Sequence, residues 1–342
     1  MNLKQLSEKL GLSQTTVSRA LNGYPEVSEE TRLRVAEAAR RHNYRPNMRA
    51  RGLATGRAMA IGHVIPLSAK FAIVNPIFAD FIAGAGEIYA RSGYDMVLSI
   101  VNESEEARVY GEMKSKGNVD GVIVHSPRHD DPRIAQLGDI GLPFLVHGRS
   151  SGCALPYAWL DVNNRHAFER AAGFLLDLGH RRMALLNGPE EMDFAIRRRS
   201  GYAAALTAAG LVPDPELMLC DEMTEAFGHR AAADLLAAPE PPTAFLVASM
   251  LIAIGVRRAI EERGLRFGRD VSVVTFDDDL SYLSNLDAVP VFTAMRSSVR
   301  EAGRRAAAML LRMIAEPGIG LPSQLLEAEL VVGQSTGPAP RG

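Results

Sequence analysis

Residues 3–23 run Leu3-Lys4-Gln5-Leu6-Ser7-Glu8-Lys9-Leu10-Gly11-Leu12-Ser13-Gln14-Thr15-Thr16-Val17-Ser18-Arg19-Ala20-Leu21-Asn22-Gly23, and they decide how the amino end folds. Leu3, Leu6 and Leu10 recur at helical spacing. Asn2 just ahead is a good N-cap, and Gln5 three residues on completes a capping box. Gly11 stops this helix. After the turn Gly11-Leu12-Ser13, Ser13 caps a second helix over 14–21, which Asn22-Gly23 ends in a left-handed C-cap. Val17, Ala20 and Leu21 point back at the first helix. Gln14, Thr15, Ser18 and Arg19 are left on the outer face. A third helix starts after Ser28, carries Glu29 and Glu30 in its electropositive first turn, and runs to about His42.

Helix, glycine-containing turn, helix is the layout that presents a second helix to the DNA major groove. The outer face has the chemistry for that task. Gln pairs with adenine, Arg forks onto guanine, and hydroxyls reach phosphates or base edges. A small helical bundle with a polar surface would give the same pattern. Charge adds a second signal: residues 1–57 hold eleven Lys and Arg against five Glu, while the whole chain carries −2. A basic end on an acidic body suits a polyanionic partner, although a solvated basic helix has the same composition.

The remainder bounds the class. With 342 residues, two domains or three are expected. A hydrophobic share of 47% and a charged share of 23% support a large buried core and exclude general disorder. Two cysteines, Cys153 and Cys220, are too few for a disulfide scaffold or a thiolate zinc cluster and suit a reducing cytoplasm, the expected location. No apolar run approaches the roughly 20 residues of a membrane span. The first residues lack the apolar core of a secretory signal, so secretion and membrane residence are not expected.

From residue 59 short strands alternate with longer Ala-rich helices. Strands are expected at Met59–Pro66, Asp95–Val101, Gly121–Ser126, Phe144–Arg149, Arg182–Gly188, Leu217–Asp221, Ala244–Ser249 and Ser272–Asp277, and helices near 78–91, 163–178, 197–209, 227–237, 250–263 and 297–315. Such alternation predicts an α/β body with parallel, doubly wound sheets and ligand sites at strand C-terminal ends. Eight such units are too many for one Rossmann-like half, so two similar halves with a cleft between them fit better. Catalytic signals are missing: there is no Gly-x-Ser-x-Gly elbow, Walker loop or dinucleotide fingerprint. His125, His129 and His147 read as loop histidines. Asp277-Asp278-Asp279 is a weak cation signal. No enzyme activity, cofactor or metal is expected.

Residues 3–23, with Val27-Ser28-Glu29-Glu30-Thr31-Arg32 and Tyr44-Arg45-Pro46-Asn47, closely resemble the headpiece of the lactose repressor (LacI) family. The resemblance implies base reading by Gln14, Thr15 and Arg19, with backbone contacts from Thr16, Ser18, Asn22, Ser28 and Thr31. Residues 46–56 match the family's hinge helix, in which Asn47 and Ala50 lie and Leu53 wedges into the minor groove. Domains are expected at 1–46 (headpiece), 47–57 (hinge) and 58–337 (core). The core divides into an N-subdomain of about 58–160 and 291–320 and a C-subdomain of about 161–290 and 321–337, with crossings near 160, 290 and 320. The core signatures include Asp120-Gly121-Val122-Ile123, Leu178-Gly179-His180-Arg181-Arg182 and Arg198-Arg199-Ser200-Gly201-Tyr202. They imply a two-subdomain fold of the periplasmic-binding-protein type, covering essentially the whole chain.

The resemblance implies a homodimeric regulator on pseudo-palindromic double-stranded DNA, controlled by a small effector whose binding rotates the N-subdomains and parts the hinges. Effector residues are expected at Phe78, Arg149, Trp159, Arg198, Met223, Ser249 and Asp277. Four have a bland alternative: a helix cap for Asp277, as for its neighbours Asp278 and Asp279, a salt bridge for Arg149, hinge packing for Trp159 and core packing for Met223. Arg197 and Arg199 read as solvated surface. Many relatives carry Asn-Asp where this chain has Ser249-Met250, Asp where it has Gly148, and Gln where it has Ser297. The smaller side chains suggest a pocket for a disaccharide or other glycoside, such as an α-glucoside. The C-terminus lacks leucine heptads, so a coiled-coil tetramer is not expected. Alternatives are a periplasmic-type sugar-binding protein without a regulatory role, a regulator of a non-sugar metabolite, and a sugar-modifying enzyme.

Overall fold

A computed structural model of the chain describes all residues except 22, 45–56, 67–74, 277–278, 284, 286–288 and 341–342. It divides into two compact units, Met1–Met59 and Ala60–Gly342. In the first, α1 (Leu3–Leu10), α2 (Gln14–Leu21) and α3 (Glu29–Arg41) enclose Leu6, Val17, Ala20, Val27, Val35 and Ala39. The expected capping box forms: the Gln5 amide donates to Asn2 Oδ1 at 2.9 Å, and the Asn2 amide donates to Gln5 Oε1 at 3.0 Å. Gly11 takes the left-handed conformation (φ 63°) that ends α1.

The second unit holds two sheets. The first contains β1 (Ala60–Pro66), β2 (Asp95–Val101), β3 (Gly121–His125), β4 (Phe144–His147), β5 (Trp159–Val162) and a late strand, Ser323–Leu326. Its helices are α4 (Pro76–Ser92), α5 (Glu106–Lys116) and α6 (Pro132–Ile140). The second sheet is built from α7 (Asn164–Asp177), β6 (Met183–Asn187), α8 (Asp193–Ala208), β7 (Met218–Cys220), α9 (Glu225–Leu236), β8 (Ala244–Val247), α10 (Met250–Glu262), β9 (Ser272–Phe276) and β10 (Thr293–Arg296). The chain then returns to the first sheet through α11 (Val299–Ala315) and β11 (Ser323–Leu326), and ends in the second with β12 (Glu329–Val331). Spatial orders are β11-β5-β4-β3-β1-β2 and β12-β10-β9-β8-β6-β7.

All pairings are parallel except that of β10 with β12, so the second sheet departs from the all-parallel expectation at one edge. The eight expected strands form with ends moved by a residue or two. Reading by strand–helix alternation misses β5, β10, β11 and β12, which are three or four residues long and break the alternation. It also misses α5 and α6, and it starts α8 four residues late at 197 rather than Asp193. The crossings follow Val162, Arg296 and Leu326, each a few residues beyond the expected 160, 290 and 320. The strand leading into each crossing belongs to the sheet being left.

Helices α4 and α11 cross through two glycines. A Cβ on Gly84 would lie 2.0 Å from the Arg300 carbonyl oxygen, and one on Gly303 would lie 2.2 Å from that of Phe81. Around the crossing, Phe81, Ala85, Ala302, Ala306 and Leu310 close the core of the first subdomain. Gly84→Ala should force the helices apart and lower stability by about 1–3 kcal/mol, as overpacking does. Urea unfolding followed by circular dichroism measures this, and an unchanged midpoint would refute so close a crossing.

Candidate functional site

The first candidate surface lies on α2 and the residues flanking it. Gln14, Thr15 and Arg19 are exposed, whereas Ser18 is half-buried. Ser13 Oγ accepts the Thr16 amide at 3.0 Å and lies 2.8 Å from its hydroxyl. Ser28 repeats the arrangement on α3, with the Thr31 amide at 3.4 Å and the Thr31 hydroxyl, which accepts from Ser28, at 2.9 Å. Thr31 therefore keeps its own hydroxyl proton for an outside acceptor. The caps bring Ser13, Thr15, Thr16, Arg19, Ser28 and Thr31 around one shallow groove. Asn22, Asn47, Ala50 and Leu53 lie outside the described residues.

The second candidate is the cleft between the two sheets, at the C-terminal ends of their strands. One cavity is lined by His147, Arg149 and Asp161 from the first sheet's side and by Asn164, Phe194, Arg198 and Phe276 from the other. Arg198 donates from Nε to Asn164 Oδ1 (2.8 Å) and from Nη1 to the Ala248 carbonyl (2.9 Å). Its guanidinium lies 4.1 Å from the Phe276 ring centroid and 4.8 Å from that of Phe194. Cation–π contact of this kind holds a planar fork in place.

Asp161 is the polar centre of this cavity, and pattern reading missed it. Arg149 Nε donates to its Oδ2 at 2.8 Å, Arg197 Nη1 donates to the same oxygen at 2.6 Å, and Asn164 Nδ2 approaches Oδ1 at 3.3 Å. Burial pushes the Asp161 carboxyl up from its ordinary value, against the downward pull of the two arginines. Arg197 is not surface: it also meets Asp193 Oδ2 at 2.5 Å and Ser151 Oγ at 3.0 Å. It thus ties the first subdomain to α8 of the second. The missing signal was three-dimensional, since Asp161 lies inside the four-residue strand β5 and meets Arg197 only in the folded chain.

A second cavity adjoins the first and shares Ile77, Ser126, His147, Met223 and Val299 with it. Phe78, Phe81, His125 and Met192 add to its wall. Phe78 and Met223 therefore line the cleft. Trp159 lines neither cavity; its ring lies under the Arg149 guanidinium at 4.9 Å, so it acts at one remove. Ser249 also lines neither cavity, because its hydroxyl accepts the Ile252 amide at 3.3 Å and caps α10. Ser297 does line the first cavity. Gly148 has a backbone reason to lack a side chain: its φ is 112°, and a Cβ there would meet Pro127 Cδ at 2.8 Å. Asp277 lies outside the described residues.

His125 and His147 are not loop histidines. They end β3 and β4 in register with one another, and His63 sits one strand away on β1. His63 Nδ1 lies 2.9 Å from His125 Nε2, and His147 stacks on Phe81 with centroids 4.1 Å apart. Burial lowers His63 and His147 from 6.5 to about 4, and His125 is also held well below its ordinary value. Folding therefore excludes protons that the unfolded chain binds between pH 4 and 6.5. The stability present above pH 6.5 is lost as pH falls towards 4. The core should melt at progressively lower temperature from pH 7.5 to pH 5 in calorimetry, and His147→Gln should flatten the slope.

Known proteins resemble the chain in both of its parts. The profile of bacterial regulatory proteins of the lacI family matches residues 2–47, and that of the periplasmic binding protein-like domain matches residues 172–336. The HTH-type transcriptional regulator AglR of Rhizobium meliloti (strain 1021) is 46% identical over 341 residues, spanning 99% of this chain and 95% of its own. The structure of the transcriptional regulator CelR–cellobiose complex is 28% identical with a TM-score of 0.71, covering 98% of this chain and 99% of that one. The lac repressor dimer bound to operator and the anti-inducer ONPF is 27% identical with a TM-score of 0.81 over 98% and 99% of the two chains. With a headpiece, a two-subdomain core and near full-length identity of this order, the chain belongs to the lacI family of bacterial regulatory proteins and is a DNA-binding transcriptional regulator rather than an enzyme.

Proposed function

We propose that this regulator binds a pseudo-palindromic operator as a homodimer in the cytoplasm, represses genes of carbohydrate uptake or breakdown, and changes its operator affinity when a disaccharide-sized sugar enters the core cleft. The observation that carries the effector reading is the pair of adjoining cavities. One is rich in planar hydrogen-bonding groups over aromatic faces, as Asp161, Asn164, Arg149 and Arg198 meet Phe194 and Phe276. The other is walled by Phe78, Phe81 and Met223 and has Arg128, Glu191 and Glu222 among its lining residues. Two joined compartments of different character suit two linked rings, and a similar chain, CelR, has been solved with the disaccharide cellobiose. Among the described residues, no helix is long and apolar enough to cross a membrane.

Gln14, Thr15 and Arg19 read bases in the major groove in this proposal, while Thr16, Ser18, Ser28 and Thr31 fix the register on phosphates. The family resemblance adds Asn22, Asn47, Ala50 and a wedging Leu53 to the operator contacts of this proposal, and Asp277 to its effector contacts. Effector and operator are then coupled by about 1–3 kcal/mol, and each shifts the other's affinity by the same factor. Asp161 and Arg197 offer a route for that coupling, because a sugar hydroxyl on Asp161 competes with the arginine that spans the subdomains.

Two measurements test the reading. Duplexes selected from a random pool define the operator, and Arg19→Ala should then bind it about 1–3 kcal/mol more weakly with relaxed preference at one base pair. Calorimetric titration with cellobiose, maltose, melibiose, glucose and glucose 6-phosphate defines the effector class. Arg198→Met should abolish the heat of the best disaccharide while leaving operator affinity intact. Binding of a monosaccharide, a nucleobase or a sugar phosphate alone would overturn the disaccharide assignment.

A further inference from the structure

We propose that Pro127–His129 and Glu191–Asp193 form a backbone clasp across the mouth of the cleft, that it must part for an effector to enter or leave, and that an effector filling the second cavity holds it shut. The last clause rests on the two-compartment reading of the cleft, whereas the clasp itself rests on geometry. Arg128 and Met192 oppose one another as an antiparallel bridge, although the first follows β3 of one subdomain and the second precedes α8 of the other. The His129 amide donates to the Glu191 carbonyl at 3.3 Å, and the Asp193 amide donates to the Pro127 carbonyl at 3.1 Å. The Asp193 side chain adds to the seam, since its Oδ1 accepts the Ser151 amide at 2.8 Å and lies 3.5 Å from His129 Nδ1.

Sheet order places these contacts away from the crossings. The chain crosses after β5, β10 and β11, which lie towards one side of the two sheets. The clasp follows β3, two strands from β5, and β6, three strands from β10. At about 4.8 Å per strand, it stands roughly 10–15 Å from the crossings. The crossings are therefore the pivot, and bonds set this far from a pivot oppose its opening with the most leverage.

The two jaws are built differently. The first is braced within its own subdomain: Ser126 takes a left-handed φ of 45°, and the His129 carbonyl accepts the Gly152 amide at 2.7 Å and the Ser150 hydroxyl at 2.8 Å. The second is the start of α8, where Met192 stands at the N-cap and makes no side-chain cap. The Asp193 amide is one of the donors that a helix leaves without an internal partner, and here the opposite subdomain satisfies it. Closed, α8 is capped across the cleft; open, that amide turns to water. Arg128 and Met192 both line the second cavity, so a ligand there touches both jaws at once.

Opposed residues without hydrogen bonds between them hold their Cα atoms about 4.5 Å apart, which a disulfide can span. In full-length protein with Cys153 and Cys220 replaced by serine, Arg128→Cys combined with Met192→Cys should cross-link on mild oxidation. Stopped-flow titration then uses whichever of cellobiose, maltose or melibiose binds the unaltered protein best. The oxidised double variant should take up that sugar at least tenfold more slowly than the reduced one, and sugar bound before oxidation should be trapped. Asp193→Pro and Asp193→Ala both lose the carboxylate, but only proline, which the first position of a helix accepts, also loses the amide. The Pro variant should release sugar about threefold faster than the Ala variant, the worth of one ordinary hydrogen bond. Failure to cross-link, uptake by the oxidised form at the reduced rate, or equal release by the two Asp193 variants overturns the proposal. Should the reduced double variant bind no sugar, the Asp193 pair decides alone. If no disaccharide binds the unaltered protein, the two-compartment reading fails, and amide hydrogen exchange decides the clasp: equal protection of the His129 and Asp193 amides, as one shared opening gives, upholds it, and unequal protection refutes it.

Discussion

A carboxylate withdrawn from water between two sheets must be matched by charge and hydrogen bonds, or the sheets cannot close over it. Asp161 is such a group, and it is matched from both sides of the cleft. Arg149 reaches it from the subdomain that carries it, and Arg197 reaches it from α8 of the other. The rest of the cleft is arranged around this centre. Arg197 extends the charge chain to Asp193, whose other oxygen accepts the Ser151 amide at 2.8 Å. Arg198, one residue on, turns instead into a ring of phenylalanines. Two adjacent arginines on one helix thus divide the work: one braces the two halves against each other, and one faces the cavity.

The headpiece solves a different problem with similar economy. Its three helices are too short to be stable alone, and six buried apolar side chains hold them together. The caps at Ser13 and Ser28 each give an orphan backbone N–H an acceptor, and they also set hydroxyls around the groove beside Arg19. Stability of the helix ends and presentation of the polar groups come from the same residues.

Much of this was legible in the sequence because the signals were local. The Asn2–Gln5 capping box, the Gly11 turn and the eight expected strands each declare themselves within a few residues. Arg198 and Phe78 were legible through the family resemblance. What escaped notice was non-local. Asp161 sits on a strand of four residues with no alternation to mark it. The His63–His125–His147 group is dispersed over more than eighty positions and comes together only because β1, β3 and β4 are neighbours. Ser249 was misjudged because the first residue after a strand can serve a ligand or a helix cap, and only the fold reveals which.

The three passages of the chain between the sheets have one further consequence. Neither half of the sensor is a continuous stretch of polypeptide, since each is finished by residues that arrive after the other has been built. The halves therefore cannot be separated by one break in the backbone. A protease that nicks a single strap would leave the two halves tethered by the remaining two, altering the stiffness of the pivot and not the integrity of the molecule.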